Sequence, residues 1–171
     1  MTRRSKAIFI IPALCVVLLG YYALAFGRLA VNATESLQGN AFAMVTWPKH
    51  IKPGRIVAVR MPDVLRPAFD GGELYLTKRV VGVAGDPVTR DGTRLCINTS
   101  CVEGHIKAGK LVSPLWGADR VPENEIAVFG DSPDSLDSRY EVIGGISRDD
   151  VVAAGFAIPF PHWTRLKEWL Q

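Results

Sequence analysis

A lysine lies on an otherwise apolar face of a predicted strand. Residues 73–86 read ELYLTKRVVGVAGD and alternate along the chain. One strand face therefore holds Leu74, Leu76, Lys78 and Val80. Burial can lower a lysine pKa by about 3–5 units, which would let Lys78 act as a general base for a hydroxyl nucleophile. The alternative is structural, because an isolated lysine more often reaches the strand edge or pairs with a carboxylate.

No other pattern in the chain indicates a particular chemistry. The three histidines are in unrelated loop contexts, and there is no HExxH, Gly-rich phosphate loop or GxSxG pattern. A Ser-His-Asp site stays open, although nothing singles out one histidine. The net charge of +3 is scattered and argues against a nucleic-acid partner. We predict neither a metal nor a cofactor.

Two longer motifs contain or follow this lysine. LTKRVVGVAGD (76–86) and FGDSPDSLDSRY (129–140) resemble segments of the type I signal peptidases. In that family a Lys-Arg-x-x-Gly-x-x-Gly-Asp segment carries the general base, and a Gly-Asp-x-x-x-Ser-x-Asp-Ser-Arg-Tyr segment supports it. The resemblance implies that Lys78 is the base. The other matching residues are Gly82, Gly85, Asp86, Gly130, Asp131, Ser135, Asp137, Ser138, Arg139 and Tyr140.

The resemblance also implies a serine nucleophile upstream of Lys78. The segment NATESLQGN (32–40) supplies Ser36, and its TESL stretch is most similar to the conjugative-transfer branch, the TraF-type peptidases. By that similarity the Thr34 hydroxyl and the Ser36 amide form the oxyanion hole. The family usually has a proline within two or three residues after the serine. This chain continues with LQGN, so it departs from the pattern beside the nucleophile.

Three residues of the second motif acquire supporting roles by the same resemblance. Ser135 is expected to hydrogen-bond the amine of Lys78, and Asp137 is expected to pair with Arg139. A hydroxyl suits the first task because a carboxylate in its place would raise the pKa of the amine. On the opposite strand face, Arg79 is predicted to pair with a carboxylate and has no catalytic role.

The N-terminal region contains a long uncharged run. Residues 7–27 contain no charged side chain, and three basic residues precede them. About 20 apolar residues suffice to cross a bilayer, and the basic flank predicts a cytoplasmic N-terminus. We therefore expect a cytoplasmic stub and transmembrane anchor over residues 1–28, in contact with membrane lipid. The alternative is a cleaved signal peptide, for which Ala23-Leu24-Ala25 has the small-x-small form.

The chain after the anchor, residues 29–171, is predicted to be one exported catalytic domain. With the family resemblance, this places it on the periplasmic side of the bacterial inner membrane. No helical segments alternate with its strand-like runs, so we expect an all-β, signal-peptidase-like β-barrel or sandwich. The predicted strands are 55–61, 74–83, 94–98, 125–130 and 151–160. The final HWTRLKEWLQ is predicted to be a short helix that either caps the core or lies at the membrane interface.

The cysteines fit an oxidising compartment. Cys96 and Cys101 flank the turn-like INTS, and we predict a disulfide between them. A zinc site would need two further ligands that nothing nearby supplies. Cys15 falls within the predicted anchor and is read as a small apolar residue.

These features predict a membrane-anchored serine endopeptidase that removes leader peptides from exported precursors. Resemblance to the conjugative-transfer branch implies a propilin or another transfer-apparatus protein as the substrate. Its acyl-enzyme would be resolved by water or by the substrate's own amine, which gives a circular pilin. Two alternatives are a non-catalytic anchored subunit of a conjugation or secretion complex and a LexA-type self-cleaving protein. The predicted anchor argues against the second, a cytosolic class.

Overall fold

The computed structural model describes residues 3–31, 36–62, 65 and 75–159. The chain begins with helix α1 (Arg3–Phe26), which contains residues 7–26 of the uncharged run. Among the residues described, no helix is both long and apolar enough to cross a membrane, so the predicted transmembrane span is not supported. The helix ends where the first strand begins, at Gly27. The helix predicted at the C-terminus lies outside the described residues.

An antiparallel sheet of seven strands carries most of the domain. In sheet order its strands are β1 (Gly27–Val31), β2 (Ala41–Val45), β12 (Val151–Ile158), β3 (Ile56–Arg60), β4 (Tyr75–Val83), β10 (Glu125–Phe129) and β11 (Ile146–Ser147). The all-β class is thus confirmed. The predicted barrel is wrong, because β1 and β11 do not pair within the described part of the chain and the two-residue β11 offers little edge for closure.

Two smaller sheets and one short helix lie outside the main sheet. One sheet has three strands, β5 (Val88–Asp91), β6 (Arg94–Ile97) and β7 (Ser100–Glu103). The other is the hairpin of β8 (Ile106–Lys107) and β9 (Lys110–Leu111), and a 3-10 helix spans Arg148–Asp150. Cys96 and Cys101 face each other across β6 and β7 and form a disulfide with an S–S distance of 2.03 Å.

Strand β4 separates two hydrophobic clusters. Val80 belongs to one, and its neighbour Val81 belongs to the other. The pairing of β10 with β4 shifts register between Ala127 and Val128, which is the signature of a bulge. Lys78 shares its strand face with Val80 of the first cluster and is withdrawn from water.

Candidate active site

Lys78 lies in the middle of β4, opposite Val57 of β3. Its side chain is 4% exposed, and its Nζ donates a 2.7 Å hydrogen bond to the Oγ of Ser135. Burial lowers the pKa of the Lys78 amine; the negative charge of Asp137 acts against this shift, and the positive charge of Arg139 adds to it. The net shift of this pKa, which burial dominates, is in the direction that a general base requires.

A buried ion pair supports the loop that carries Ser135. The guanidinium of Arg139 contacts both carboxylate oxygens of Asp137, through Nε at 2.8 Å and Nη2 at 2.9 Å. The Gly130 amide donates to the same carboxylate at 2.8 Å. Arg139 also donates to three backbone carbonyls, those of Ser132, Pro133 and Glu103. This network fixes the loop on both sides of Ser135.

Ser36 lies in a turn that packs against the end of β10. Its backbone carbonyl accepts a 2.7 Å hydrogen bond from the Asp131 amide. A Cβ on Gly130 would stand 2.0 Å from the Ser135 Oγ and 2.8 Å from the Ser36 carbonyl oxygen. Only glycine leaves room for both contacts. The Ser135 hydroxyl that binds Lys78 and the Ser36 carbonyl therefore meet at the same face of Gly130.

Asp131 connects the Ser36 turn to the strand that carries Lys78. Its carboxylate accepts the Gln38 amide at 2.7 Å and contacts Arg79 at 3.0 Å. Burial alone would raise the pKa of the Asp131 carboxyl. The hydrogen bonds from Arg79 and Gln38, together with the positive charges of Arg79 and Lys78, hold that pKa below its ordinary value. The sequence predicted a carboxylate partner for Arg79 but no role for Asp131. The only signal for this residue was its place in the second motif.

Comparison with known proteins identifies the family. The model of the family described as signal peptidase, peptidase S26, matches residues 1–160 of this chain. The chain belongs to the S26 signal peptidase family. It is therefore a serine peptidase that removes leader peptides, and its substrates are precursor proteins with signal peptides. This membership confirms the predicted peptidase class and favours it over the non-catalytic alternative.

Solved structures include a relative of this signal peptidase. The crystal structure of a signal peptidase I from Enterococcus faecalis V583 is 22% identical and aligns with a TM-score of 0.38. The alignment covers 60% of this chain and 94% of that chain. No curated protein matches the sequence.

The predicted oxyanion donor Thr34 and the three histidines lie apart from these contacts or outside the described residues. Thr34, the predicted second oxyanion donor, lies outside the described residues, as does His162. His105 contributes its backbone amide to the Tyr140 hydroxyl at 2.8 Å, and His50 lines a groove beside α1. In the described ranges, no three His, Cys, Asp or Glu side chains are grouped to hold a metal ion.

Proposed function

We propose that this signal peptidase cleaves its substrates with a Ser36–Lys78 dyad. The observation that carries the proposal is the buried amine of Lys78, which donates to the neutral hydroxyl of Ser135. That hydroxyl and the Ser36 carbonyl lie 2.0 Å and 2.8 Å from the position of a Cβ on Gly130. A neutral amine in this position can accept the hydroxyl proton, the task of the base in Ser-Lys enzymes.

In the first half of the proposed reaction, Lys78 takes the proton of the Ser36 Oγ while that oxygen attacks the scissile carbonyl carbon. A tetrahedral intermediate forms, and its oxyanion is held by the Ser36 amide and the Thr34 hydroxyl. The C–N bond then breaks, and the Lys78 ammonium gives its proton to the leaving amine. The leader is left as an ester on Ser36.

In the second half, Lys78 deprotonates a water molecule that attacks the ester carbon. The ester bond breaks, and the proton returns to the Ser36 oxygen. If the segment cut off lies instead at the C-terminal end of the pilin, the ester on Ser36 holds the pilin itself, and the pilin's own N-terminal amine can attack in place of water. The ester bond breaks, the amine proton passes through Lys78 to the Ser36 oxygen, and the product is a cyclic chain one water lighter than the linear one.

For the substrate, we propose a propilin or another protein of a conjugative-transfer apparatus. Its support is sequence resemblance alone: the TESL stretch around Ser36 is similar to the TraF-type branch. The missing proline after Ser36 is the point at which this chain differs from that branch.

We also propose a location at the bacterial inner membrane, with residues 1–28 as anchor and residues 29–171 on the periplasmic side. The uncharged run supports contact with lipid, as do the exposed side chains of Val17 and Leu24 on α1, which are 66% and 85% exposed. Cell fractionation tests this location. The full chain is expected to sediment with membranes after an alkaline carbonate wash, and its recovery in the soluble fraction would overturn the proposal.

The dyad and the substrate are tested together by intact mass spectrometry. A candidate propilin is co-expressed with the wild-type chain, with Ser36→Ala or with Lys78→Ala. Ser132→Ala is the matched control, because Ser132 lies in the same loop as Ser135 but does not bind the amine. We expect processed propilin with the wild type and with the control, and intact precursor with the two dyad variants.

The product mass separates the chemical outcomes. A mass equal to the mature linear chain indicates hydrolysis, and a mass one water lighter indicates capture by an amine. Processing that persists with Ser36→Ala would remove Ser36 as the nucleophile. If the wild type leaves the propilin intact but cuts other exported precursors, only the substrate proposal fails.

A further inference from the structure

A cavity of about 480 Å³ lies directly beside the Ser36 turn. Gln38 and Asp131 form its wall on the side of the turn. Arg79 and Val81 contribute from β4, on the strand face opposite Lys78, and Val102 contributes from β7. Because Asp131 also holds the Ser36 carbonyl, the cavity begins within two residues of the proposed nucleophile.

The walls of this cavity are held in place before any ligand binds. The Asp131 carboxylate is bound by Arg79 and by the Gln38 amide. Strand β7 is linked to β6 by the disulfide, and the carbonyl at its end, that of Glu103, accepts a 3.0 Å hydrogen bond from Arg139. The same arginine holds Asp137 beneath the Lys78 site. The wall of the cavity and the loop that carries Ser135 are therefore both held by Arg139.

The lining combines an apolar floor with a polar rim. Val81, Val102 and Phe129 supply the floor, and Val81 and Phe129 are buried. The rim contains Gln38 and the Arg79–Asp131 ion pair, whose side chains are 36% and 22% exposed. An ion pair has no net charge, so the rim does not select a charged ligand. An extended peptide fits this chemistry, with an apolar side chain on the floor and its backbone amides at the rim.

The sheet order indicates which part of a substrate reaches the cavity. Helix α1 continues directly into β1, whereas the cavity lies at β4 and β10. Four strand spacings separate β1 from β4, about 19 Å at roughly 4.8 Å each. In the proposed function the apolar leader stays with the membrane on the side of α1. The residues that follow the cut then leave Ser36 toward the opposite side.

We propose that this cavity binds the first residues after the scissile bond and selects an apolar side chain among them. The proposal rests on the proposed nucleophile and membrane location. It makes the floor formed by Val81, Val102 and Phe129 a specificity determinant on the amine side of the cut. Size and polarity of the mature N-terminus would thus govern substrate choice.

The first test uses the wild-type chain and synthetic peptides with an Ala-x-Ala leader end. The peptides differ only in the first two residues after the cut, which are leucine or glycine. Apolar contacts in a pocket discriminate by about tenfold or more, so kcat/KM is expected to be at least about tenfold higher for a leucine peptide. Equal values for all peptides would overturn the assignment.

The second test fills the cavity with Val102→Trp. Thr99→Trp is the matched control, because Thr99 is exposed at the tip of the same hairpin and does not line the cavity. Each variant is given two peptides with the same leader end, one that continues past the cut with leucine and one that ends there as a primary amide. Val102→Trp is expected to lower kcat/KM about tenfold through KM for the extended peptide only.

The outcomes separate this proposal from the proposed function. The cavity assignment is overturned if Val102→Trp has the wild-type kcat/KM on both peptides, or if it lowers kcat/KM equally for both. Ser36→Ala is measured in parallel on the same peptides. If that variant retains the wild-type rate, the dyad fails; if it is inactive while Val102→Trp shows no selectivity, only the cavity assignment fails.

Discussion

The Nζ of Lys78 lies 2.7 Å from the Oγ of Ser135, and both side chains are 4% exposed. The partner of this buried amine is uncharged. A carboxylate in its place would stabilise the ammonium form and raise the pKa of the amine. Ser135 instead orients the amine while burial keeps its pKa low.

Activity is expected to rise with pH through the lowered pKa of Lys78. Only the neutral amine accepts the Ser36 proton, so kcat/KM should increase as one proton is lost, with a midpoint below the ordinary lysine value of about 10.4. Initial rates on a leader peptide from pH 5 to 10 measure the profile. A rate that is flat over this range, with chemistry limiting, would contradict a lysine base.

Ser135→Ala is expected to lower kcat with little effect on KM. The variant removes the acceptor that orients the amine, and a poorly placed general base loses part of a contribution of about 10²–10⁴-fold. We expect a fall of about ten- to a hundredfold, measured by steady-state kinetics. Ser135→Thr, which keeps the hydroxyl, should retain more activity than the alanine variant. Equal activity of the two would argue against the hydrogen bond as the cause.

Lys78→Met is expected to change how stability depends on pH. The folded-state pKa of Lys78 lies below its unfolded value, so between the two pKa values the unfolded chain binds more protons. The stability of the wild type relative to Lys78→Met should therefore increase as pH rises toward about 10.4 and be lost as pH falls through the folded pKa. Urea unfolding of both proteins at several pH values measures this difference, and a constant difference would contradict the lowered pKa.

Gly130→Ala is expected to inactivate the enzyme while the domain still folds. The new Cβ would stand 2.0 Å from the Ser135 Oγ and 2.8 Å from the Ser36 carbonyl oxygen, so these groups must move apart. A misplacement of 1 Å can cost about a hundredfold in rate. Gly117→Ala is the control, because its Cβ would meet only Glu141, at 3.3 Å. Equal kcat for the two variants would show that Gly130 does not need to be small.

Arg139→Gln is expected to destabilise the whole domain. Asp137 is fully buried, and loss of its partner leaves an uncompensated carboxylate at a cost of about 3–5 kcal/mol. The control is Arg60→Gln, which breaks the pair with Asp150, exposed at 49% and 47% and worth no more than about 1 kcal/mol. Urea unfolding compares the two costs. Similar values would mean that the buried pair is not a structural support.

Much of the fold was predictable because its signals are local. Alternation predicted the strand around Lys78, and the strands predicted at 55–61 and 125–130 are present as Ile56–Arg60 and Glu125–Phe129. Strand β2 was missed because AFAMV is a short apolar run without alternation, which periodicity cannot assign. The sheet order and the lack of pairing between β1 and β11 in the described residues depend on contacts between segments far apart along the chain. Composition and motif spacing do not predict such contacts.

The candidate site likewise combines features that the sequence predicted with one contact that only the structure shows. The sequence by itself determined that Lys78 points to an apolar strand face and that Ser135, Asp137 and Arg139 belong to one motif, because these features depend on neighbours along the chain. Only the tertiary structure decided that Asp131 holds the Ser36 turn, 95 positions earlier, against the strand of Lys78. Such a contact forms only when the packed sheet brings distant backbone groups together, and no local preference specifies it.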